Sequence, residues 1–316
     1  MSGILVIRGG AIGDFILTLP AIGLLRDGFA ELPLEILGYR HIVALADGRH
    51  YATATRSIEY AGLASFFVPG ARLPEELSAY FSRFGQVISY LYDPDGFFEE
   101  NLRRAGVRHL ISAYTAIGPH THASRQLARP LEQLALYLEP GREQAVLHPS
   151  PEDRAEARRR LGPPGETPLV AIHPGSGGRH KLWPLESWEA VLAHLAAHPE
   201  NPRVLLIGGE ADEERFAALA RGGFPADRLL TARNLPLPHL AALLEECSLF
   251  LGHDSGISHL AAAVGTPSLL LFGPTQRTVW APAGPHVEVL EAPEGDLSRL
   301  PAATLLFEID ARLSGH

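Results

Sequence analysis

Short, continuously apolar runs alternate along this chain with helical patterns, and this alternation constrains the fold more than any other feature. Runs such as VLLI at 204–207 and SLLLF at 268–272 are apolar without alternation, apart from Ser268, as in strands that are buried on both faces. Such strands belong to parallel sheets covered by helices, so the pattern predicts a doubly wound α/β architecture. The predicted strands are Ile4–Ile7, Leu34–Leu37, Gln86–Leu91, His109–Ser112, Leu169–Ile172, Val204–Ile207, Leu249–Leu251, Ser268–Phe272 and Val287–Leu290. The predicted helices are Phe15–Asp27, Glu75–Phe84, Ser124–Leu138, Glu152–Arg160, Glu186–Ala197, Ala211–Arg221, Leu237–Glu246 and Ile257–Val264.

A proline-rich, charged segment at 139–168 divides the chain of 316 residues, a length that itself predicts two domains. We place the domains at 1–148 and 149–316, with the open alternative that the C-terminal helix packs back on the first domain. Both halves begin with an apolar strand, a glycine-rich turn and a helix. Because ligands of open α/β sheets bind at the carboxyl ends of the strands, two such domains predict a site in a cleft between them.

The charge and cysteine content narrow the range of functions. A net charge of −9 argues against a nucleic-acid partner, which needs a basic face for the phosphates. The one cysteine, Cys247, has no partner for an internal disulfide, as expected in a reducing compartment. The N-terminus lacks the features of a secretory signal, and no apolar run reaches the length of a membrane span. These features predict a cytoplasmic protein.

The first glycine-rich turn, RGGAIGD, follows the first strand. Gly10 and Gly13 permit backbone conformations and close approaches that a side chain prevents. Asp14 has two compatible interpretations: an N-cap carboxylate that accepts a backbone N–H, or a general base at the edge of a site. The positive end of the helix favours an ionised carboxylate in both.

The second turn, HPGSGGRHK at 173–181, contains the one lysine of the chain, Lys181, whereas the other basic residues counted in the 27 are arginines. Glycines free backbone N–H groups to point at an anion, and a compact ammonium suits a phosphate, so the turn predicts a phosphate site. A purely structural turn is the alternative. Trp183 and Trp188 are expected to pack beneath the loop. The residues predicted to hold phosphate are Ser176, Gly177, Gly178 and Lys181.

A third polar turn, HDSGISH, follows the strand at 249–251 and leads into a helix of small residues. Its N–H groups at the helix start can face an anion. Asp254 and Ser255 can also cap the helix, and Asp254 is equally well explained as such a cap and His259 as a packing residue. The residues predicted to line this part of the site are Asp254, Ser255, Gly256 and His259. The pairs Asp93/Asp95 and His120/His122 are typical of turns and lack further ligands, so no metal is expected.

Three blocks together resemble the heptosyltransferase family, glycosyltransferase family 9 of lipopolysaccharide core assembly. They are ILVIRGGAIGDFILTLP from residue 4, AIHPGSGGRHKLWPLESW from residue 171 and LGHDSGISHLAAAVGTPSLLLFGPT from residue 251. The resemblance implies the GT-B fold, with two Rossmann-like domains facing across a cleft. The first would bind the acceptor and the second a nucleotide sugar, ADP-heptose.

The resemblance also implies residue roles. Asp14 would be the general base of an inverting displacement, Lys181 would contact the donor diphosphate, and Glu210 or Glu213 would hold the ribose. No cofactor or metal is implied, and the acceptor would be a glycolipid or oligosaccharide, with peripheral contact to the inner membrane as a further implication. Candidates for a basic acceptor face are Arg56, Arg72, Arg103, Arg104 and Arg125. The alternatives are a nucleotide-sugar-binding protein without transfer activity, or a glycosyltransferase with another donor and acceptor.

Overall fold

The computed structural model describes residues 3–163, 165 and 167–314, which form two compact units, Met1–His148 and Pro149–His316. Each unit contains one fully parallel sheet flanked by helices, as the apolar runs predict. Within the described residues, no helix is long and apolar enough to cross a membrane.

The first unit is a five-stranded sheet in the order β3-β2-β1-β4-β5. Its strands are β1 Ile4–Arg8, β2 Leu34–Gly38, β3 Ala54–Ser57, β4 Gln86–Ser89 and β5 Leu110–Ser112. Its helices are α1 Ile12–Gly28, α2 Arg40–Val43, α3 Glu75–Ser82, α4 Phe97–Arg104 and α5 Ala123–Ala128, with 3-10 turns at Ala61–Phe67 and Arg129–Leu134. One face of the sheet packs on α3 and α4 through Leu5, Ile7, Phe81 and Phe98, which are buried.

The second unit is a six-stranded sheet in the order β11-β10-β9-β6-β7-β8. Its strands are β6 Leu169–His173, β7 Arg203–Gly208, β8 Leu229–Arg233, β9 Leu249–His253, β10 Ser268–Phe272 and β11 Val287–Glu291. Its helices are α6 Pro151–Leu161, α7 Leu185–Ala197, α8 Glu213–Ala220, α9 Leu237–Glu245, α10 Gly256–Ala263, α11 Arg277–Trp280 and α12 Ala302–Leu313. Short 3-10 turns lie at Arg179–Lys181, Glu210–Asp212, Pro293–Gly295 and Leu297–Arg299.

The C-terminal helix α12 belongs to the core of the second unit. Its Leu305, Ile309 and Leu313 are buried in the same apolar cluster as Val191 and Leu195 of α7. This burial assigns α12 to the second unit. The alternative that it also packs back on the first domain stays a prediction.

The helix predicted at 124–138 is shorter than expected. It ends at Ala128 and continues as a 3-10 turn, because Pro130 has no N–H to donate into an α-helix. The chain then takes a left-handed conformation at Ala135, with φ of 56°. The prediction of one long helix there is wrong.

The sheet order determines where the candidate residues meet. In the first unit β1 lies between β2 and β4, and in the second β6 lies between β7 and β9. The order of strands reverses between β1 and β4 and between β6 and β9. At such a point the loops that follow the two neighbouring strands turn to opposite faces of the sheet, which leaves room for a ligand at the carboxyl ends of the strands. The turns after β6 and β9 are therefore neighbours, with His173 opposite Gly252 in the register.

Candidate functional site

Asp14 lies in the first turn of α1, as its third residue, and the N-cap position belongs to Ala11. The Asp14 Oδ2 atom accepts a hydrogen bond of 2.9 Å from the Ala11 N–H. The carboxylate thus satisfies a donor at the helix start, but from inside the helix, which corrects the N-cap assignment. Its side chain is 42% exposed, so the carboxylate remains accessible to a ligand.

A buried arginine that the sequence analysis missed lies beneath Asp14. The Arg8 side chain is only 11% exposed, and its Nη2 lies 3.1 Å from the Asp14 carbonyl oxygen and 3.7 Å from Oδ1. Its Nε donates to Thr18 Oγ1 at 2.9 Å. Burial lowers the pKa of Arg8, and the nearby Asp14 carboxylate opposes that shift. The one sequence signal was an arginine that ends an otherwise apolar strand.

The two glycines predicted in this loop have different roles. Gly10 has φ of +90°, and a Cβ there would stand 2.7 Å from Asp14 Oδ2, so a side chain would displace the carboxylate. Gly13 is already inside α1, which begins three residues earlier than predicted, and is therefore not part of the loop.

In the second unit, Lys181 and Asp254 meet at the carboxyl edge of the sheet. Lys181 Nζ lies 2.6 Å from Asp254 Oδ2, and both side chains are partly buried. The Ser176 hydroxyl donates to the Asp254 carbonyl oxygen at 2.8 Å, so the second and third turns are joined directly. The partner of the lysine in this state is thus a carboxylate of the chain itself.

The third turn caps α10 through Ser255, one of the two residues expected to cap it, and not through Asp254. Ser255 Oγ accepts from the Ser258 N–H at 3.3 Å and lies 3.4 Å from His173 Nδ1. Gly256 is the first helical residue, and His259 is buried one turn later. Asp254 is therefore left free of capping and directed at Lys181.

His253 ties the second turn to the sheet and was also missed by the sequence analysis. Its Nε2 accepts from the Trp183 N–H at 2.9 Å, so the proton is on Nδ1, which lies 3.3 Å from the Gly175 carbonyl oxygen. Burial lowers the pKa of His253 to about 3, which keeps the ring neutral. Trp183 and Trp188 are fully buried beneath the loop, as expected.

Arg215 of α8 also holds the second turn in place. Arg215 donates to the carbonyl oxygens of Pro174, at 3.1 Å, and of Trp183. Together with His253, it fixes both ends of the turn and leaves the 176–181 segment between them at the sheet edge. A framework held in this way keeps the backbone of the segment in place, so its N–H groups can face an anion beside Lys181.

The acidic residues after β7 differ in their exposure and in their partners. Glu213 pairs with Arg233 at 2.8 Å. Glu210 is exposed and is therefore the more accessible of the two to a ligand. Its role toward a ribose stays a prediction. Asp212 turns inward instead, and its Oδ2 lies 3.3 Å from His173 Nε2.

Gly175 is required where Asp212 crosses beneath the turn. A Cβ at Gly175 would stand 2.1 to 2.2 Å from the Asp212 carboxylate, whereas one at Gly177 would meet nothing within 4 Å. We expect Gly175→Ala to lower the free energy of unfolding by about 1–3 kcal/mol, as other overpacked sites do. Gly177→Ala is the matched control, with an expected change within about 0.5 kcal/mol. Chemical denaturation of both variants measures the difference, and equal stabilities would contradict the close contact.

Other candidate residues have structural roles. Asp93 caps α4 by accepting from the N–H groups of Phe98 and Glu99 at 3.2 and 2.9 Å. His122 caps α5 through its Nδ1. Across residues 3–163, 165 and 167–314, the His, Cys, Asp and Glu side chains form no group of three that could hold a metal.

The predicted basic face of the first unit is largely neutralised. Arg103 pairs with Glu99 at 2.8 Å, Arg125 pairs with Glu143, and Arg56 lies 3.6 Å from Glu76. The guanidinium of Arg104 donates to Asn101 and to the Ala71 carbonyl oxygen. These four arginines are thus engaged by the chain, whereas for the exposed Arg72 the described residues show no ion pair.

Comparison with known proteins supports the resemblance. The model of the family "Glycosyltransferase family 9 (heptosyltransferase)" matches residues 114–303. Lipopolysaccharide heptosyltransferase 3 of Escherichia coli is 31% identical over 161 residues, which is 46% of this chain and 46% of that protein. The chain therefore aligns with less than half the length of this relative.

Solved structures extend the likeness of fold to the whole chain. A family 9 glycosyl transferase from Veillonella parvula has a TM-score of 0.81 at 19% identity and covers 100% of this chain and 98% of its own. E. coli heptosyltransferase WaaC with ADP has a TM-score of 0.72 at 18% identity, with coverage of 98% and 99%. These likenesses confirm the predicted fold class, two parallel α/β domains of the GT-B type.

Proposed function

The chain belongs to glycosyltransferase family 9, the heptosyltransferases, and from that premise we propose that it transfers heptose from ADP-heptose to a lipopolysaccharide-core-like acceptor. The observation that carries the proposal is the meeting of Lys181 with the glycine-rich turn and the start of α10 at the carboxyl edge of the second sheet. This arrangement suits a diphosphate, because it combines a mobile cation with N–H groups at a helix start.

The donor would be bound by the second unit. Lys181 would leave Asp254 for the diphosphate, with backbone N–H groups near 176–178 and 255–257 beside it. The exposed Glu210, which follows β7, would accept hydrogen bonds from ribose hydroxyls. The likeness of fold to a heptosyltransferase with bound ADP supports adenine as the base.

The reaction that we propose is a single displacement with inversion at the anomeric carbon. The acceptor oxygen forms a bond to that carbon as the bond to the diphosphate oxygen breaks, and Asp14 takes the proton of the acceptor hydroxyl. The diphosphate leaves with the bonding electron pair, and its growing negative charge is stabilised by Lys181 and the N–H groups. Arg8 holds the main chain of Asp14 in place and balances its charge. We propose that no metal or other cofactor takes part.

An acceptor of the lipopolysaccharide type would place the reaction at a membrane surface, so we propose a cytoplasmic protein with peripheral membrane contact. The single cysteine, Cys247, is buried and forms no disulfide, in keeping with that compartment.

A thermal-shift panel of ADP, UDP, GDP and their sugars tests the donor. A ligand at 100 times its Kd stabilises the folded state by about 2.7 kcal/mol, so ADP and ADP-heptose should raise Tm at concentrations where the others do not. A preference for UDP or GDP would contradict the donor assignment. Stabilisation by ADP-heptose without transfer to deacylated, heptose-deficient lipopolysaccharide would instead identify a binding protein.

A further inference from the structure

Two exposed aromatic side chains lie beyond the carboxyl ends of neighbouring strands in the first sheet. Tyr92 follows β4 and is 66% exposed, and Tyr114 follows β5 and is 48% exposed. Large apolar surface in such exposed positions is a marker of a binding site when it is contiguous.

The two tyrosines form one contiguous surface. Their ring centroids lie 5.0 Å apart, with 55° between the ring planes. The pairing of β4 with β5 fixes this arrangement, since Ser89 and Ser112 are register partners and each precedes its tyrosine by a few residues. The surface therefore lies on the two loops that directly follow this pair of strands.

This surface adjoins the loop that carries Asp14. The segment before Tyr92 touches that loop, because Leu91 Cδ2 would lie 3.0 Å from a Cβ at Gly9. Arg8, which contacts Asp14, has its guanidinium carbon 5.9 Å from the centre of the Tyr90 ring. The Tyr114 phenol also lies close enough to Arg8 to affect the arginine's pKa.

We propose that Tyr92 and Tyr114 are an aromatic platform on which a sugar ring of the acceptor stacks, beside Asp14. The inference rests on the proposed function and adds the residues that select the acceptor. A tyrosine ring offers an apolar face to the C–H groups of a sugar and a hydroxyl to its oxygens. The charged residues nearest to Tyr92 along the chain, Asp93 and Asp95, are acidic, which favours a saccharide over the anionic surface of a membrane.

The test compares Tyr92→Ala/Tyr114→Ala with wild type and with Tyr137→Ala, an equally exposed tyrosine of the same unit. The probe is the deacylated, heptose-deficient core oligosaccharide of lipopolysaccharide, with its affinity measured by NMR titration in the presence of ADP. We expect the double alanine variant to bind it roughly 10-fold more weakly. Tyr92→Phe/Tyr114→Phe should retain most of the affinity, because the rings remain, and Tyr137→Ala should equal wild type. ADP affinity should be unchanged in all variants, and in transfer assays the acceptor KM should rise more than kcat falls.

The outcomes separate the platform from the proposed reaction. Oligosaccharide binding that depends on the two tyrosines, without heptose transfer, would support the platform and contradict the transferase. Equal affinities of wild type and the double alanine variant, or no binding by wild type, would overturn the platform. It would also be overturned if the double variant lost affinity only for vesicles of anionic phospholipid, or lost ADP binding in parallel.

Discussion

Asp14→Asn is expected to lower the turnover number by about 10²–10⁴-fold, the usual contribution of a general base. Asparagine has nearly the same shape, and its amide oxygen can still accept the Ala11 N–H bond that Asp14 Oδ2 accepts at 2.9 Å. The start of α1 should therefore be retained while the proton acceptor is lost. Because the predicted donor residues belong to the other unit, the Kd for ADP should stay within about twofold. Rates at saturating ADP-heptose, together with ADP titrations, measure both quantities.

The matched control is Asp27→Asn, the same substitution at an exposed position of the same helix. It should keep wild-type turnover, which separates loss of the base from loss of a negative charge on α1. Turnover of Asp14→Asn within about threefold of wild type would remove Asp14 as the base. A parallel loss of ADP affinity would show that the substitution had disturbed more than the proton transfer.

The strands with apolar sequences could be predicted, and with them the fold class. Each of the nine predicted strands lies in one of the two sheets, since continuous apolar runs need cover on both faces. The strands that were missed, β3 with the sequence ATRS and β8 with LLTAR, are two of the four edge strands of the described sheets, and both carry an arginine and a threonine. An edge strand is less enclosed and carries polar residues, so its sequence does not differ enough from that of a loop.

The loops of the candidate site could be predicted because glycines occur there together with an aspartate or the one lysine, directly after predicted strands. That combination is more typical of a ligand-binding turn than of a simple connection. The partners of these loops could not be predicted, because these partners are distant in sequence. His253 contacts the turn seventy residues earlier, and Arg8 depends on the burial given by Tyr90 and Thr18. Likewise, the pairing of Lys181 with Asp254 follows from the adjacency of β6 and β9, which the order of strands in the sequence does not reveal.

Lys181→Ala is expected to weaken ADP binding by about 10- to 100-fold, the range for a lost charge-assisted hydrogen bond. Two effects act together in this variant. The cation is lost, and Asp254 is left as a partly buried carboxylate that repels the diphosphate. Lys181→Arg should recover only part of the affinity, because a planar guanidinium fits a compact phosphate pocket differently from an ammonium. Isothermal titration with ADP measures the series.

Asp254→Asn separates the two effects. In wild type the diphosphate must compete with Asp254 for the lysine, so Asp254→Asn should bind ADP at least as tightly as wild type does. Lys181→Ala/Asp254→Asn should recover part of what Lys181→Ala loses, because the unpaired carboxylate is gone. An unchanged Kd for Lys181→Ala would contradict the diphosphate role. Equal affinities of the single Lys181→Ala and the double variant would contradict the competition.

The single lysine also allows a direct observation of that exchange of partners. Protein made with isotope-labelled lysine gives one lysine signal in NMR, which reports on the environment of Lys181 alone. In the free protein the ammonium pairs with Asp254 at 2.6 Å, and ADP should shift the signal as the diphosphate replaces the carboxylate. Adenosine, which lacks the diphosphate, should leave the signal unchanged, and Asp254→Asn should shift it before any ligand is added. If the signal did not move at ADP concentrations that saturate the protein, the lysine would not contact the diphosphate, and the glycine-rich turn would have to bind it without a cation.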